Sequence, residues 1–232
     1  MIVLQEGPVD EVILVTGSSG GAGAVIAQQL LKRGAKVAGA SRNGQQIIQG
    51  YPEFLSIAAD LASAAGAGTA VRAVLDRFSR IDGLVHTVGG FAFGALHELP
   101  EQEWRQLVDE NLHSAYYLLR AALVPMRERR HGRIVILGSL AAMQPHANFS
   151  AYVATKAALH ALVQAVALEN RGFDITINAI LPGTIDTAMN RAAMPEADRA
   201  RWLSPQKLAL LCAQLVSDPE GTLTGALLPL ER

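Results

Sequence analysis

Tyr152 and Lys156 stand four residues apart, a spacing that puts both side chains on one face of a helix. Their chemistry is complementary. A free tyrosine titrates near about 10 and is a poor acid–base group at neutral pH. An ammonium beside it favours the phenolate and lowers that value. Alone, the pair reads equally well as a packed ring and a lysine reaching past it to solvent. Ser139 follows the apolar run 133–137, where a strand end would present it to a ligand, although a serine there also caps turns. Asn111 lies in a helical stripe with Trp104, Leu107, Val108, Ala115 and Leu118. An amide buried there without partners costs about 1–3 kcal/mol, so it is either satisfied in the core or used. The fourth feature is the turn Thr16-Gly17-Ser18-Ser19-Gly20-Gly21-Ala22-Gly23. Glycines permit positive φ and let a pyrophosphate reach the backbone, and a helix N-terminus behind them offers free N–H groups and a favourable dipole. No Lys-Ser/Thr pair follows, which excludes a P-loop NTPase, and the spacing Gly17-x3-Gly21-x-Gly23 differs from a plain GxGxxG.

The elements that must position these groups alternate along the chain. Val12-Ile13-Leu14-Val15 is a buried strand by its β-branched run, and residues 22–33 are helical, ended by Gly34. Strands follow at 36–40 and 55–59, the latter closed by Asp60. Val71, Val74, Leu75 and Phe78 mark one helical face, and Leu84-Val85 centres a fourth strand ending at Gly89-Gly90. Residues 103–129 form one long helix, 133–137 a fifth strand, 152–171 a helix and 175–180 a sixth strand stopped by Pro182-Gly183, and 223–229 supplies a seventh. Such alternation predicts an α/β fold: a single Rossmann-type, doubly wound parallel sheet of about seven strands with helices on both faces. Residues 1–232 read as one dinucleotide-binding catalytic domain, with 187–205 as an excursion over the carboxyl ends of the strands, a substrate loop.

Composition narrows the function classes. Half of the 232 residues are hydrophobic and 18% are charged, which excludes disorder and fits a large core. A net charge of −1 leaves no basic surplus for nucleic acid. One cysteine, Cys212, precludes an internal disulfide and suggests a reducing compartment. Six scattered histidines without a Cys/His cluster predict no metal site. No apolar run is read as membrane-spanning, and Glu6 and Asp10 without a basic n-region argue against a signal peptide, so a cytoplasmic location is expected.

Taken together, the turn, Asn111, Ser139 and the Tyr152/Lys156 pair resemble the short-chain dehydrogenase/reductase family in order and spacing, over nearly the whole chain. The resemblance includes Asp60 after the third strand, Ser139 thirteen residues before Tyr152, and Pro182-Gly183-x3-Thr187 after the sixth strand. It implies an NAD(P)H-dependent oxidoreductase that transfers a hydride to a carbonyl or quinonoid substrate. Tyr152 would be the general acid, Lys156 would lower its pKa and bind the nicotinamide ribose, Ser139 would hydrogen-bond the reacting group, and Asn111 would hold a water in a proton relay. Gly17, Ser19, Gly21, Gly23 and Gly89 would lie against the cofactor, Asp60 and Leu61 would flank its adenine, and Pro182, Gly183, Ile185 and Thr187 would border the nicotinamide. One departure is plain. The family usually has Asn-Asn-Ala-Gly after the fourth strand, and here His86-Thr87-Val88-Gly89 stands in its place. Gly90, Phe91 and Phe93 follow and could wall a flat substrate. A non-catalytic NAD(P)-binding sensor is the contrasting class, but it has no use for a proton donor, and a nucleotide-sugar epimerase needs a larger substrate domain.

The end of the second strand, Ala40-Ser41-Arg42-Asn43, has no carboxylate to bind ribose hydroxyls and repel a 2′-phosphate. Arg42 can pair with that phosphate, and Ser41 and Asn43 can donate to it, so NADP(H) is expected over NAD(H), which stays possible. The basic residue often found in the glycine-rich turn of NADP-using relatives is absent, with Ser19-Gly20 there instead. Leu112, Tyr116, Leu119 and Leu123, and Leu159, Leu162, Val163 and Val166, make the two long helices apolar beyond one face. A homodimer or homotetramer through these helices is expected, as in similar proteins. The segment 181–202 and the turn Val88-Gly89-Gly90-Phe91 resemble the dihydropteridine reductase branch, which generally lacks the Ser found here as Ser139 and has an acidic residue where Ser41 stands. A dihydropteridine reductase-like enzyme is the alternative to a ketone or aldehyde reductase.

Overall fold

The computed structural model describes residues 10–45 and 48–232, so Glu6, used above against a signal peptide, lies outside the described residues. The elements run β1 (Val12–Thr16), α1 (Gly21–Lys32), β2 (Lys36–Ser41), β3 (Phe54–Ala58), α2 (Ala64–Phe78), β4 (Gly83–His86), α3 (Glu101–Val108), a π-helical turn (Asp109–His113), α4 (Ser114–Arg129), β5 (Gly132–Leu137), α5 (Ser150–Asn170), β6 (Ile175–Pro182), α6 (Ala188–Ala193), α7 (Pro205–Val216) and β7 (Leu227–Leu230). The strands form one seven-stranded sheet in the order β3-β2-β1-β4-β5-β6-β7, and every pairing is parallel. Strand order reverses between β1 and β4, and in open parallel sheets the crevice at that point, beyond the carboxyl ends, is where ligands bind.

Two apolar layers hold the sheet. On one face, Ile26, Ala27 and Leu30 of α1 and Leu208, Ala209 and Cys212 of α7 pack on Ile13, Val15 and Val135. On the other, Val71 and Val74 of α2, Leu118 and Ala122 of α4, and Leu159 and Val163 of α5 pack on Leu14, Leu84 and Ile134. Both faces being covered explains why β1, β5 and β6 are buried at every position and read as continuous apolar runs. Burial also pushes the Cys212 thiol up, which leaves it an inert core residue.

The structure corrects several boundaries and faces. The expected single helix over 103–129 is two helices joined through the π turn, which contains Asn111. Trp104 does not belong to the buried stripe: it is exposed, and Leu107 is the residue of α3 that is buried. The seventh strand is Leu227–Leu230, not 223–229, since its pairing with β6 begins at Ala179↔Leu227. Leu119, Leu159, Val163 and Val166, expected at an oligomer interface, are core residues. The large apolar side chains most exposed on α4 and α5 are Tyr116, Val124 and Leu168, with Leu123 and Leu162 partly buried. Ser150–Phe173 is apolar and long enough to pass for a membrane span, contrary to the expectation of none. Its Leu159, Val163 and Ala167 are buried against the sheet, as in a core helix.

Candidate active site

At the carboxyl ends of the strands lies a cleft of about 1170 Å³, lined by residues from every loop at that end of the sheet. Its floor is the turn between β1 and α1. Gly17 has φ of +73°, and a Cβ there would sit 2.5 Å from Thr87 Oγ1. Gly23 packs so closely that a Cβ would collide with the Gly17 carbonyl. Gly20 is the N-cap of α1 and gives no side-chain cap, so the first-turn N–H groups are not satisfied by a side chain. In α2, by contrast, Ser63 caps the helix by accepting from Gly66 N–H at 3.1 Å. An uncapped N-terminus on a glycine floor is a ready anion site.

Gly17, Ser19, Gly21, Gly23, Ser41, Arg42, Asp60, Leu61, Gly89, Ser139, Tyr152, Lys156, Pro182, Gly183, Ile185 and Thr187 all line this one cleft, as the sequence reading expects. Asn43, expected as a phosphate donor, does not line it, and neither does Phe93, which instead packs on Phe149 with ring centroids 5.3 Å apart. Ser41 Oγ is buried without a hydrogen-bond partner. Arg42 beside it is exposed, its Nη1 3.9 Å from Glu110 Oε1. An unsatisfied hydroxyl and a loosely held guanidinium at the end of β2 suit the ribose end of a dinucleotide, so the residues present fit such a cofactor.

Asn111 is fully buried behind the wall formed by Gly89 and Gly90 rather than in the cleft. Its Oδ1 accepts from Gly90 N–H at 3.0 Å, and its Nδ2 donates to Gly90 O at 3.1 Å and Thr155 Oγ1 at 3.0 Å. Both amide hydrogens are therefore committed, and this side chain cannot also donate to a water. A relay through this residue would need its remaining oxygen lone pair or its backbone. Thr155 Oγ1 in turn donates to Tyr152 O at 2.9 Å, so the amide links the Gly90 backbone to the helix that carries the tyrosine.

Tyr152 and Lys156 lie on the first turns of α5, as expected, but their coupling differs from the expectation. Burial pushes the Tyr152 phenol up, the Ser139 side chain pulls the other way, and Lys156 is not among the groups that shift it. The lysine donates from Nζ to Leu137 O at 3.2 Å, and burial lowers its ammonium to about 8. In this form the phenol is a protonated donor at neutral pH, in the same cleft as the ammonium of Lys156. Ser139 Oγ also accepts from Ala141 N–H at 3.2 Å, which fixes the hydroxyl.

Three residues that sequence reasoning passed over hold this arrangement. His86 is fully buried, with Nδ1 2.8 Å from Thr16 Oγ1 and Nε2 3.1 Å from Ser114 Oγ. Ser114 Oγ donates its own hydrogen to Glu110 O at 2.6 Å, so it must accept from Nε2–H, and Nδ1 then accepts from Thr16. Burial, with a smaller contribution from Lys156, lowers this imidazole to about 3, so it is neutral. It ties β1 and β4 to the π turn that carries Asn111, filling the place of the family's asparagine. Thr87 Oγ1 donates to Thr16 O at 2.7 Å. His160, four residues beyond Lys156, accepts from Ser139 N–H at Nε2, 3.3 Å away. Only the departure at 86–89 could have signalled the first two.

The mouth of the cleft is aromatic. Phe91 meets Tyr152 edge-on and Phe149 at a tilt, with both centroid distances 5.3 Å. Opposite them is the excursion after β6, contributing Met189, Met194 and Trp202. Its base is closed by a bridge between Ile185 and Leu203, with Leu203 N–H donating to Thr184 O at 2.8 Å. Asp186 and Arg191 pair across its first turn at 2.6 Å.

A doubly wound sheet with an anion-binding glycine turn and a Ser/Tyr/Lys set at its switch point defines a nucleotide-dependent oxidoreductase. Comparison with known proteins gives the family: residues 11–198 match the model of the short chain dehydrogenases, and the chain belongs to that family. It is 31% identical over 227 residues to FabG, the 3-oxoacyl-(acyl-carrier-protein) reductase of Escherichia coli (strain K12), covering 93% of both chains. It is 35% identical over 179 residues to the 2,3-dihydro-2,3-dihydroxybenzoate dehydrogenase of the same organism, covering 77% of this chain and 71% of that one. Among solved structures, the 3-ketoacyl-(acyl-carrier-protein) reductase of Brucella melitensis complexed with NADH superposes with a TM-score of 0.87 at 26% identity, covering 95% of this chain and 96% of that one. The chain is thus an NAD(P)H-dependent short-chain oxidoreductase acting on a small molecule.

Proposed function

We propose that this enzyme reduces the carbonyl group of a small, largely planar substrate, with Tyr152 as the proton donor and NADP(H) as the preferred cofactor. The observation that carries this is the Tyr152 phenol: partly buried, kept protonated, acted on by the Ser139 side chain, and lying in the glycine-floored cleft against the ring of Phe91. When bound, the nicotinamide supplies the hydride. The N-terminus of α1 with Gly17, Ser19, Gly21 and Gly23 binds the pyrophosphate. Asp60 and Leu61 flank the adenine, Ser41 and Arg42 take the 2′-phosphate, and Gly89, Pro182, Gly183, Ile185 and Thr187 border the nicotinamide.

Ser139 Oγ and the Tyr152 hydroxyl hold the substrate oxygen between them, and Tyr152 passes its proton to that oxygen as negative charge develops there. Lys156, charged below about 8, stabilises the phenolate left behind and binds the nicotinamide ribose. Asn111 keeps the Gly89–Gly90 wall in place and offers its free acceptor to a relay water. Phe91 and Phe149 on one side, with Met189, Met194 and Trp202 on the other, suit a flat ring better than a flexible chain. The 3-oxoacyl and dihydroxybenzoate relatives support a ketone or a ring substrate. The chain works as one catalytic domain with 187–205 as its substrate loop, in the cytoplasm, as a homodimer or homotetramer.

The test is cofactor oxidation at 340 nm with NADPH and NADH against ketones, aldehydes, quinones and quinonoid dihydropterin. Turnover of ketones or quinones supports the assignment. Turnover of quinonoid dihydropterin alone would transfer it to the dihydropteridine reductase-like alternative, and no oxidation with any of them counts against it.

A further inference from the structure

We infer that His160 is a positioning residue for the reaction, its Nε2 holding the backbone of Ser139 in register with Tyr152; this rests on the Tyr152/Ser139 reading above. Tyr152, Lys156 and His160 follow at four-residue intervals on one face of α5 and meet the end of β5 at three successive residues. Lys156 Nζ donates to Leu137 O at 3.2 Å. The imidazole packs where a side chain at Gly138 would be, since a Cβ there would lie 2.5 Å from His160 Nε2 and 2.5 Å from Leu181 Cδ2. Ser139 N–H then donates to His160 Nε2 at 3.3 Å, while Tyr152, two turns earlier, shares the cleft with the Ser139 side chain, which acts on its phenol. One helix therefore carries both the phenol and the imidazole that holds the backbone of the residue orienting the substrate oxygen, while Ala141 N–H holds that residue's hydroxyl.

The acceptor role requires Nε2 to be without a proton. Ser139 N–H can only donate, so Nε2 is the bare nitrogen of the pair, and burial, with a smaller contribution from Lys156, lowers this imidazole to about 4 and keeps the ring neutral at neutral pH. Gly138 N–H donates to Ile180 O at 2.8 Å, so the strand end is held on its other side as well, and His160 supplies the contact that sets Ser139 rather than the strand itself.

The experiment uses the full chain with three substitutions. In His160→Gln the amide oxygen reaches about as far as Nε2, in His160→Asn the amide is too short, and His160→Leu fills the space without an acceptor. Two readouts are taken: hydrogen exchange at the Ser139 amide, which needs no substrate, and kcat and KM with 1-phenyl-1,2-propanedione. We expect exchange to accelerate and kcat to fall by about tenfold, the worth of one hydrogen bond, in the Asn and Leu variants, with NADPH affinity unchanged and the Gln variant near wild type. Equal behaviour of the Gln and Asn variants in exchange overturns the proposal, as does loss of NADPH affinity in step with kcat, or failure of both amide variants to fold. Tyr152→Phe is run alongside. If it keeps its rate the proton-donor reading fails, whereas the exchange result still decides whether His160 holds Ser139.

Discussion

Replacing Arg42 with alanine should separate the two nicotinamide cofactors. A hydrogen bond to a charged group contributes about 1.5–3 kcal/mol. Here two features reduce that figure. The Arg42 side chain is 79% exposed, so solvent and salt screen its attraction to a phosphate. Its Nη1 also lies 3.9 Å from Glu110 Oε1, a contact that must loosen as the phosphate arrives. The net loss of NADPH affinity should be about 1–2 kcal/mol, or roughly 5- to 30-fold. NADH, which has no 2′-phosphate, should change by less than about twofold. Quenching of protein fluorescence on titration with each cofactor measures both, and raising the salt should weaken NADPH selectively in the native protein. Glu110→Gln should strengthen NADPH slightly, since it removes the competing carboxylate while leaving the amide of Gln106 a partner, now 3.1 Å from Glu110 Oε1. Equal losses for the two cofactors in Arg42→Ala, or no loss for NADPH, would refute the assignment of the 2′-phosphate to this strand end.

Two further outcomes follow from the buried histidine and the helix surfaces. His86 has a folded pKa of about 3, below its ordinary 6.5, so its contribution is complete above pH 6.5 and is lost as pH falls towards 3, with a slope of about 1.4 kcal/mol per pH unit. His160 acts in the same sense, so the check is a difference: denaturant unfolding from pH 7 to 4 should show a shallower loss in His86→Asn than in the native chain, and parallel curves would contradict the buried neutral imidazole. Tyr116, Val124 and Leu168 leave apolar area on α4 and α5, and light scattering at micromolar concentration should give twice or four times the 24.6 kDa chain mass; a monomer would count against the proposed assembly.

Much of this site is legible in the residues because its chemistry is local. The glycine turn is contiguous, Tyr152 and Lys156 share one helical face, and Ser139 follows a strand whose apolar run is plain. The sheet is legible because strands covered on both faces read as unbroken β-branched runs. What escaped depends on contacts distant in sequence. The π turn around Asn111 is marked by no proline or glycine; it is sustained by His86 through Ser114, from a strand 28 residues away. The two histidines look like isolated core residues until Thr16 and Ser139 are brought against them. Lys156 is expected to lower the Tyr152 phenol, but periodicity gives no depth: burial pushes the phenol up, and Lys156 is not among the groups that shift it. Leu119, Leu159, Val163 and Val166 of the oligomer stripes belong to the core for a related reason: helices between a sheet and a neighbouring helix are apolar over a wide arc.

The central claim is that Tyr152 delivers the proton, and Tyr152→Phe tests it with the loss of a single oxygen atom. Single-turnover and steady-state oxidation of NADPH should be followed with a carbonyl substrate that the native enzyme reduces. Cofactor affinity should stay within about twofold, since the ring and its contact with Phe91 remain, while kcat falls by about 10²–10⁴-fold, the usual share of a general acid. A Tyr152→Phe enzyme that binds NADPH normally and turns over at the native rate would contradict the account.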